Sequence, residues 1–173
     1  MKNLQLVVAL SLLFSIAVLQ SCKDCKNESK FSCLQGISIT GTHDLGTVTI
    51  EVPEDSTYTN LGALPAKINI GKYEGNMRSV IVQQFPPDAN GIVLTELRHH
   101  FDDGKGNQFW TRDFAKITPV TQTQMAVDDD MYIWKGTGDF TCATGRLKNI
   151  ATMDLATYKL TVNTTGEICW GCE

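Results

Sequence analysis

Three histidines, His43, His99 and His100, are the first candidates for acid–base chemistry in this chain. Adjacent residues of a β-strand point to opposite faces, so His99 and His100 should not enter one site together. Glu96, Arg98 and His100 share a face and would form an interior titratable cluster if that face points inward. Strand histidines are more often exposed or satisfied by neighbouring hydrogen bonds than catalytic. We therefore assign no catalytic residue.

Cysteines are the second source of candidate chemistry, and the chain has six. The CWGC motif spaces Cys169 and Cys172 like a redox pair, but a low thiol pKa needs a helix N-terminus, and this motif follows a terminal strand. We therefore expect structural disulfides. If the first and last strands are neighbours, Cys33 can reach Cys169 and Cys25 can approach Cys172, which leaves Cys142 unpaired. A zinc site formed by the four pairing cysteines is an alternative, although only CWGC has the usual close spacing.

Three consecutive aspartates, Asp128, Asp129 and Asp130, could supply oxygen ligands to a hard cation. The Asp, Asn and Gly spacing of a calcium loop is absent, and an acidic run in a loop is usually solvated. We predict no metal site and no cofactor.

The stretch GTGDFTCATGRL, residues 136–147, resembles a phosphate-binding loop in its glycine content. A P-loop ends in Lys followed by Ser or Thr at the start of a helix, and this stretch has neither. We predict instead that Gly136, Gly138 and Gly145 permit tight bends while Phe140 fills the core.

The segments that must position these residues are rich in Val, Ile, Thr and aromatics and alternate with a period of two. GTVTIEV, residues 46–52, is a half-buried strand, and residues 53–65, PEDSTYTNLGALP, are interpreted as a loop. The other predicted strands are 67–73, 78–85, 92–101, 108–117, 131–136, 145–153 and 157–168. About eight short strands joined by hairpin turns predict an all-β barrel or sandwich.

The N-terminus reads MKNLQLVVALSLLFSIAVLQSC, with Lys2, an apolar run and small or polar residues before Cys22. This order is typical of a bacterial secretion signal, and LQSC at 19–22 resembles a lipobox. The apolar run is shorter than the roughly 20 residues of a membrane span. We expect residues 1–21 to be a lipoprotein signal peptide and Cys22 to carry the acyl chains that anchor the protein stably. The predicted location is the bacterial cell envelope, at the outer membrane, facing the periplasm or the surface.

The rest of the chain divides into a flexible tether at 22–35 and a single β-barrel domain at 36–173. The tether contains KDCKNESK, which is polar and has no hydrophobic period. Removing Lys2 with the signal leaves 14 basic residues against 19 acidic ones, a net charge of −5. An acidic chain without a Lys/Arg cluster argues against a nucleic-acid partner.

Three stretches follow one another along the chain in a recognisable order: THDLGTVTIE at 42–51, HHFDDGKGNQFWTRDFA at 99–115, and MYIWKGTGDFTCATGRL at 131–147. Together they resemble the opening strand, central hairpin and Gly-Thr-Gly-x-Phe segment of the barrel superfamily that includes plant allene oxide cyclase, dirigent proteins and uncharacterised bacterial proteins. Asp44, Lys135 and Cys142 depart from that pattern. The resemblance implies a closed eight-stranded antiparallel, calycin-like barrel with a short helical or turn segment near Phe140.

Three functions are compatible with these observations. The first is a membrane-anchored, non-enzymatic barrel that binds a small apolar ligand, or a partner, at its mouth. The second is an isomerase or cyclase, which the resemblance implies and which would need an ionisable residue in an apolar cavity. The third is a purely structural surface lipoprotein with a filled core.

We predict that Cys22 is the acylated residue. Cys22→Ser should abolish incorporation of radiolabelled palmitate in growing cells, because the acyl-accepting thiol is lost. Cys25→Ser, three residues further on, should still incorporate the label. Label retained by the Cys22→Ser chain would contradict the assignment.

Overall fold

The computed structural model describes residues 32–171. The chain divides into two units, Met1–Lys30 and Phe31–Glu173. The signal peptide, Cys22, Cys25, Cys172 and most of the tether lie outside the described residues, and their assignments stay predictions. β-Structure begins at Ser32, inside the range expected for the tether. Among the described residues, no helix has the length and apolarity needed to cross a membrane.

Nine antiparallel strands and one short 3-10 turn, η1, make up the described chain, which confirms the all-β prediction. In chain order they are β1 (Ser32–Glu51), β2 (Thr57–Ala63), β3 (Ala66–Ile70), β4 (Tyr73–Gln84), β5 (Val93–Asp102), β6 (Gln108–Pro119), β7 (Gln124–Thr137), η1 (Gly138–Phe140), β8 (Thr144–Asp154) and β9 (Lys159–Trp170). They form one sheet in the order β2-β1-β9-β8-β7-β6-β5-β4-β3.

The prediction of a closed eight-stranded barrel is wrong. The sheet has nine strands and curls into a half-barrel, and the described strand ladders do not join its end strands β2 and β3. The additional strand is β2, which the sequence analysis assigned to a loop. Its sequence TYTNLGA contains Asn and Gly, which are depleted in strands, and most of it is exposed. Pairing with β1, from Leu45 opposite Ala63 to Glu51 opposite Thr57, holds it in strand form.

Two strands are longer than the sequence predicts. β1 spans 20 residues because two partners share it: residues 32–44 pair with β9, and residues 45–51 pair with β2. The first strand is therefore a neighbour of the last, as expected. β7 begins at Gln124, so the run Asp128–Asp129–Asp130 lies in a strand and not in a loop.

The inner face of the half-barrel carries two apolar layers. An aromatic-rich layer occupies one end and an aliphatic layer the other. The first contains Ile37, Ile39, Ile68, Ile70, Tyr73, Phe101, Phe109, Met131, Ile133, Phe140, Ala143, Leu147 and Ile168, and the second contains Ala115, Ile117, Val127, Ala151 and Val162. Their burial supplies the main favourable contribution to folding.

The hairpin β1–β2 covers the outer face of the sheet with a third apolar cluster. Val48 and Ile50 of the hairpin pack there with Val80 and Trp110 of the sheet. Trp110 Nε1 donates a hydrogen bond to the carbonyl oxygen of Glu51 at 3.0 Å. The hairpin and the sheet beneath it approach so closely that a Cβ at Gly62 of β2 would lie 1.9 Å from the carbonyl oxygen of Ser79 in β4. The hairpin can adopt this position only with glycine there.

The glycine-rich stretch forms a corner, not a phosphate loop. Phe140 is fully buried, and its ring centroid lies 4.6 Å from that of Tyr73. A Cβ at Gly136 would lie 2.0 Å from the carbonyl oxygen of Phe140, and Gly138 has a φ of +60°. Gly145 passes similarly close to the backbone of β9. The three glycines and Phe140 thus have the architectural roles that the sequence suggested.

Cys33 and Cys169 face each other in the β1–β9 ladder and form a disulfide. The bridge leaves no thiol at Cys169 for a redox pair with Cys172. It closes a separation of 136 residues, and the chain-entropy model gives such a loop about 5 kcal/mol of stabilisation. The predicted pairing of Cys25 with Cys172 lies outside the described residues.

Cys142 is also disulfide-bonded, so the prediction that it is unpaired is wrong. A backbone hydrogen bond also links the corner that holds Cys142 to the C-terminal end of the described chain. The amide of Gly171 donates to the carbonyl oxygen of Thr141 at 3.3 Å, which ties the corner to the chain after β9.

We predict that Phe140→Ala lowers the free energy of unfolding by about 3–5 kcal/mol, the cost typical of removing a buried aromatic ring. Asp139→Ala is the matched control at the neighbouring position. It removes a partly buried hydrogen bond from the Tyr73 hydroxyl at 2.9 Å and should cost about 1 kcal/mol. Urea unfolding of both variants measures the difference, and equally small losses would show that the corner is not part of the core.

Candidate functional site

A layer of polar side chains lies on the inner face between the two apolar layers; we call it the polar layer. Most of its members sit at inward positions of neighbouring strands, where the ladders place Asp129 opposite Asn149 and Asn149 opposite Thr164. Its members are His43 of β1, Ser79 of β4, His99 of β5, Thr111 and Asp113 of β6, Asp129 of β7, Asn149 of β8 and Thr164 of β9. Buried polar groups are costly unless they are paired. Apolar packing therefore does not account for the presence of these side chains in the core.

An ion pair between His99 and Asp113 forms the centre of the polar layer. His99 Nδ1 lies 2.8 Å from Asp113 Oδ2, and both side chains are almost completely buried. The Thr111 hydroxyl donates to the same oxygen at 2.7 Å and accepts the backbone amide of His99 at 3.0 Å. Burial lowers the pKa of His99, but the charge and hydrogen bond of Asp113 outweigh it and raise that pKa above its ordinary value. Burial also raises the pKa of Asp113, by more than His99, Thr111 and Arg98 lower it. The 2.8 Å contact and the raised pKa of His99 together favour an ion pair in which the shared proton lies on His99.

Asp129 has no such partner. Its side chain is fully buried, and neither carboxyl oxygen makes a hydrogen bond among the described residues. The Asn149 amide lies near the carboxyl without reaching hydrogen-bond geometry. Burial, together with the charges of Asp113 and Asp130, raises the pKa of Asp129 to about 7, although the charge of His99 counters part of the effect. A carboxyl that titrates near neutrality suits acid–base chemistry or the capture of a hydrogen-bond donor.

The other two aspartates of the run face outward, because side chains alternate along β7. Lys148 Nζ contacts Asp128 Oδ1, and it lies 3.2 Å from Asp130 Oδ2. Arg146 lies 2.6 Å from Asp130, and its hydrogen bond is the main cause that lowers the pKa of Asp130. The three consecutive carboxyls thus have different surroundings and cannot form one cation site.

Two adjoining cavities open onto the polar layer. The first leaves about 40 Å³ for the centres of water-sized molecules, and His43 and His99 line it. The second leaves about 40 Å³ on the same measure, and Asp129 lines it. Ala63, Ser79, His99, Asn149 and Leu160 line both.

His43 contributes a neutral imidazole to the first cavity. Burial lowers the pKa of His43, and the nearby charge of His99 lowers it further. Its Nδ1 atom is buried and makes no hydrogen bond among the described residues. Which nitrogen carries the proton depends on the tautomer, so His43 can act either as an acceptor or as a donor.

The predicted interior cluster of Glu96, Arg98 and His100 does not line the inner face of the half-barrel. The three residues do share one face of β5, but it is the outer face, because the inward position between them belongs to His99. Arg98 pairs with Glu96 at 2.7 Å, and His100 stacks on Trp110 with ring centroids 4.7 Å apart. The β1–β2 hairpin covers this face, so these side chains are partly or fully buried although they point outward.

Sequence reasoning missed Asp113, and it named Asp129 only as part of an acidic run and not as an interior acid. A usable signal was present for Asp113, which interrupts the inward series Phe109, Thr111, Ala115 and Ile117 of a predicted strand. No comparable signal marked Asp129, because the strand that contains it was not recognised. In the range 32–171, no group of three or more His, Cys, Asp or Glu side chains could hold a metal ion.

Comparison with known proteins identifies no relative: no protein-family model, curated protein or solved structure matches the chain.

We predict that Asp129→Asn removes a pH-dependent loss of stability. The pKa of about 7 exceeds the ordinary value of 3.8, so between these values the folded protein keeps a proton that the unfolded chain releases. The free energy of unfolding must therefore fall as the pH rises through this window, by about 4 kcal/mol over its full span. Asparagine cannot ionise, so the variant should lack this decline.

Urea unfolding between pH 4.5 and pH 8 measures the effect, with Asp128→Asn as the control from the outward face of the same strand. His99 adds stability that is present at low pH and lost as the pH rises through its raised pKa; Asp128→Asn keeps this contribution in full, whereas Asp129→Asn keeps only the part that Asp113 supplies, because the charge of Asp129 also raises the pKa of His99. Burial raises the pKa of Asp113 as well, and both variants keep the decline in stability that follows from it. The account fails if Asp129→Asn and Asp128→Asn show the same pH dependence.

Proposed function

We propose that the half-barrel binds a small, largely apolar molecule in its two inner cavities, with the polar layer fixing the molecule's orientation. The single observation that carries this proposal is the Asp129 carboxyl, which is fully buried and unpartnered beside a cavity. An unpartnered buried carboxyl is costly to the free protein. A ligand that satisfies it would recover that cost as binding free energy.

The lining of the second cavity supports an apolar ligand body. Apart from Gly62, Ser79, His99, Asp129 and Asn149, its wall is hydrocarbon or thioether. The apolar lining residues are Leu45, Leu61, Ala63, Ile81, Leu97, Ile117, Val127, Met153 and Leu160. Small-molecule sites combine such walls with a few convergent polar groups. Leu61 is 38% exposed, which offers a route of entry beside the β1–β2 hairpin.

We also propose that the domain is held at a bacterial membrane through acylated Cys22 and acts in the cell envelope. This rests on the signal-like N-terminus and on the disulfide Cys33–Cys169, since such bonds persist in oxidising compartments. The resemblance to the allene oxide cyclase and dirigent barrels remains a hypothesis. The glycine corner around Phe140 in this chain agrees with the resemblance. The nine-stranded half-barrel differs from the closed eight-stranded barrel that the resemblance implies.

A proton-transfer isomerase is the second candidate function. One observation favours it: Asp129, with a pKa of about 7, and His99, with a raised pKa, line the same largely apolar cavity. A general acid or base is most effective when its pKa lies near the working pH. In such a reaction Asp129 would accept a proton from the ligand, and protonated His99 would donate one.

Native mass spectrometry of a chain that starts at Lys23 tests the binding function. We expect a retained small molecule in the wild type, and we expect it to be lost in Leu97→Trp, which fills the second cavity. Leu94→Trp is the matched control, because Leu94 lies on the outward face of β5 and is 58% exposed. A retained molecule in Leu97→Trp, or no binding by any apolar compound, would contradict the proposal.

Deuterium exchange separates the two candidate functions. An isomerase should place solvent deuterium on carbon of the retained molecule, and His99→Asn should stop it. A pure binding protein should leave the carbon-bound hydrogens of the molecule unchanged.

A further inference from the structure

We propose that the ligand carries an organic ammonium group, which pairs with Asp129 while its hydrocarbon chain occupies the second cavity. This inference rests on the proposed binding function and adds the chemical class of the ligand. It comes from two independent features of the polar layer: its charges and its unpartnered atoms.

The charges of the polar layer leave Asp129 without a counterion. The titratable groups that act on it are His99 of β5 and Asp113 of β6, with Asp130 beside it on β7, and His43 of β1 lines the adjoining cavity. The cationic His99 is already paired with Asp113 at 2.8 Å. His43 is neutral because burial lowers its pKa. The charge of Arg98 also reaches Asp113, but Arg98 lies on the outer face of β5 and pairs with Glu96 at 2.7 Å. On the inner face two acids therefore share one cation, and a ligand that carries one positive charge would balance the layer.

The cations nearest in the sheet cannot supply this charge. Lys148 and Arg146 lie on the outer face, where they contact Asp128 and Asp130. Outward and inward side chains of one strand are separated by the sheet itself. No cation of β7 or β8 is thus directed at Asp129 from within the described chain.

The unpartnered atoms favour a head group that only donates hydrogen bonds. Beside the second cavity, Asp113 Oδ1 and both carboxyl oxygens of Asp129 are buried without a hydrogen bond among the described residues, and all three are acceptors when the carboxyls are ionised. The fourth such atom of the polar layer, His43 Nδ1, can donate or accept, but His43 lines the first cavity and not the second. An ammonium group has three N–H donors and no acceptor, whereas a hydroxyl has one donor and a carboxylate or phosphate has none. Charge-assisted hydrogen bonds of this kind are about twice as strong as neutral ones.

A metal ion is a poorer fit to the same charge. Metal sites need several ligating side chains around one point, and no group of three His, Cys, Asp or Glu side chains meets this need in residues 32–171. The apolar walls of the second cavity also give an inorganic ion no further oxygen ligands. A cation with a hydrocarbon chain uses both the carboxyl and the walls.

Isothermal titration at pH 8 with n-hexylammonium chloride and with 1-hexanol tests this inference on the folded chain. At this pH the ammonium is protonated and Asp129 is ionised. We expect the wild type to bind hexylammonium at least about 10-fold more tightly than hexanol, since one ionic hydrogen-bonded contact contributes roughly 1.4 kcal/mol or more. Ammonium chloride at the same concentration controls for ionic strength and for binding of the bare cation.

The variant Asp129→Asn should bind hexylammonium at least about 10-fold more weakly than the wild type, and Asp128→Asn should bind it as the wild type does. Wild-type protein at pH 5.5 gives a second test without substitution, because a protonated Asp129 should weaken hexylammonium binding and leave hexanol binding unchanged. These outcomes would support the ammonium class.

Two results would overturn the inference in distinguishable ways. If hexanol binds as tightly as hexylammonium, or Asp129→Asn keeps full affinity for hexylammonium, the ammonium class is wrong and the apolar binding function stands. If neither compound binds the wild type at millimolar concentration, the proposed function fails as well.

Discussion

The buried ion pair between His99 and Asp113 is the interaction on which the interior of this protein depends. Removing two charges from water is costly, and only close geometry with further hydrogen bonds offsets that cost. Here the Thr111 hydroxyl supplies the additional bond at 2.7 Å. Burial raises the pKa of Asp129, and because His99 is already paired with Asp113, the charge of His99 counters only part of that rise. The unusual chemistry of Asp129 is therefore a consequence of its burial and of how its neighbours are paired.

The architecture places an apolar layer on each side of this polar layer. The aromatic layer around Phe140 closes one end of the half-barrel, and the aliphatic layer around Ile117 closes the other. The disulfide Cys33–Cys169 fixes the β1–β9 pair that supplies His43 and Thr164. A low-dielectric surrounding strengthens every electrostatic contact within it. The same surrounding makes an unpartnered group costly, so ligand binding and stability are linked at Asp129.

Sequence reasoning could predict the features that follow from local alternation. Period-two patterning indicated an all-β chain, and the corner at Phe140 followed from its glycines. Which face of a strand points inward could not be predicted. The β1–β2 hairpin buries the outer face of the sheet as well, so the two faces do not differ in polarity as an exposed face and a buried face would. Arg98 and His100 are 5% and 9% exposed, so they resemble interior residues although they point outward. β2 also escaped notice, since only its pairing with β1 holds TYTNLGA extended.

The titration of Asp129 is the most direct test of the account, because an uncompensated carboxyl in a paired polar layer is its central claim. Carbon-13 nuclear magnetic resonance can follow the aspartate carboxyl carbons with pH, and Asp129→Asn identifies the resonance by its loss. The account predicts a midpoint near 7, the value that burial and the neighbouring carboxyls impose. A midpoint near 4, like that of a solvated aspartate, would show that Asp129 is hydrated or paired and would contradict the account.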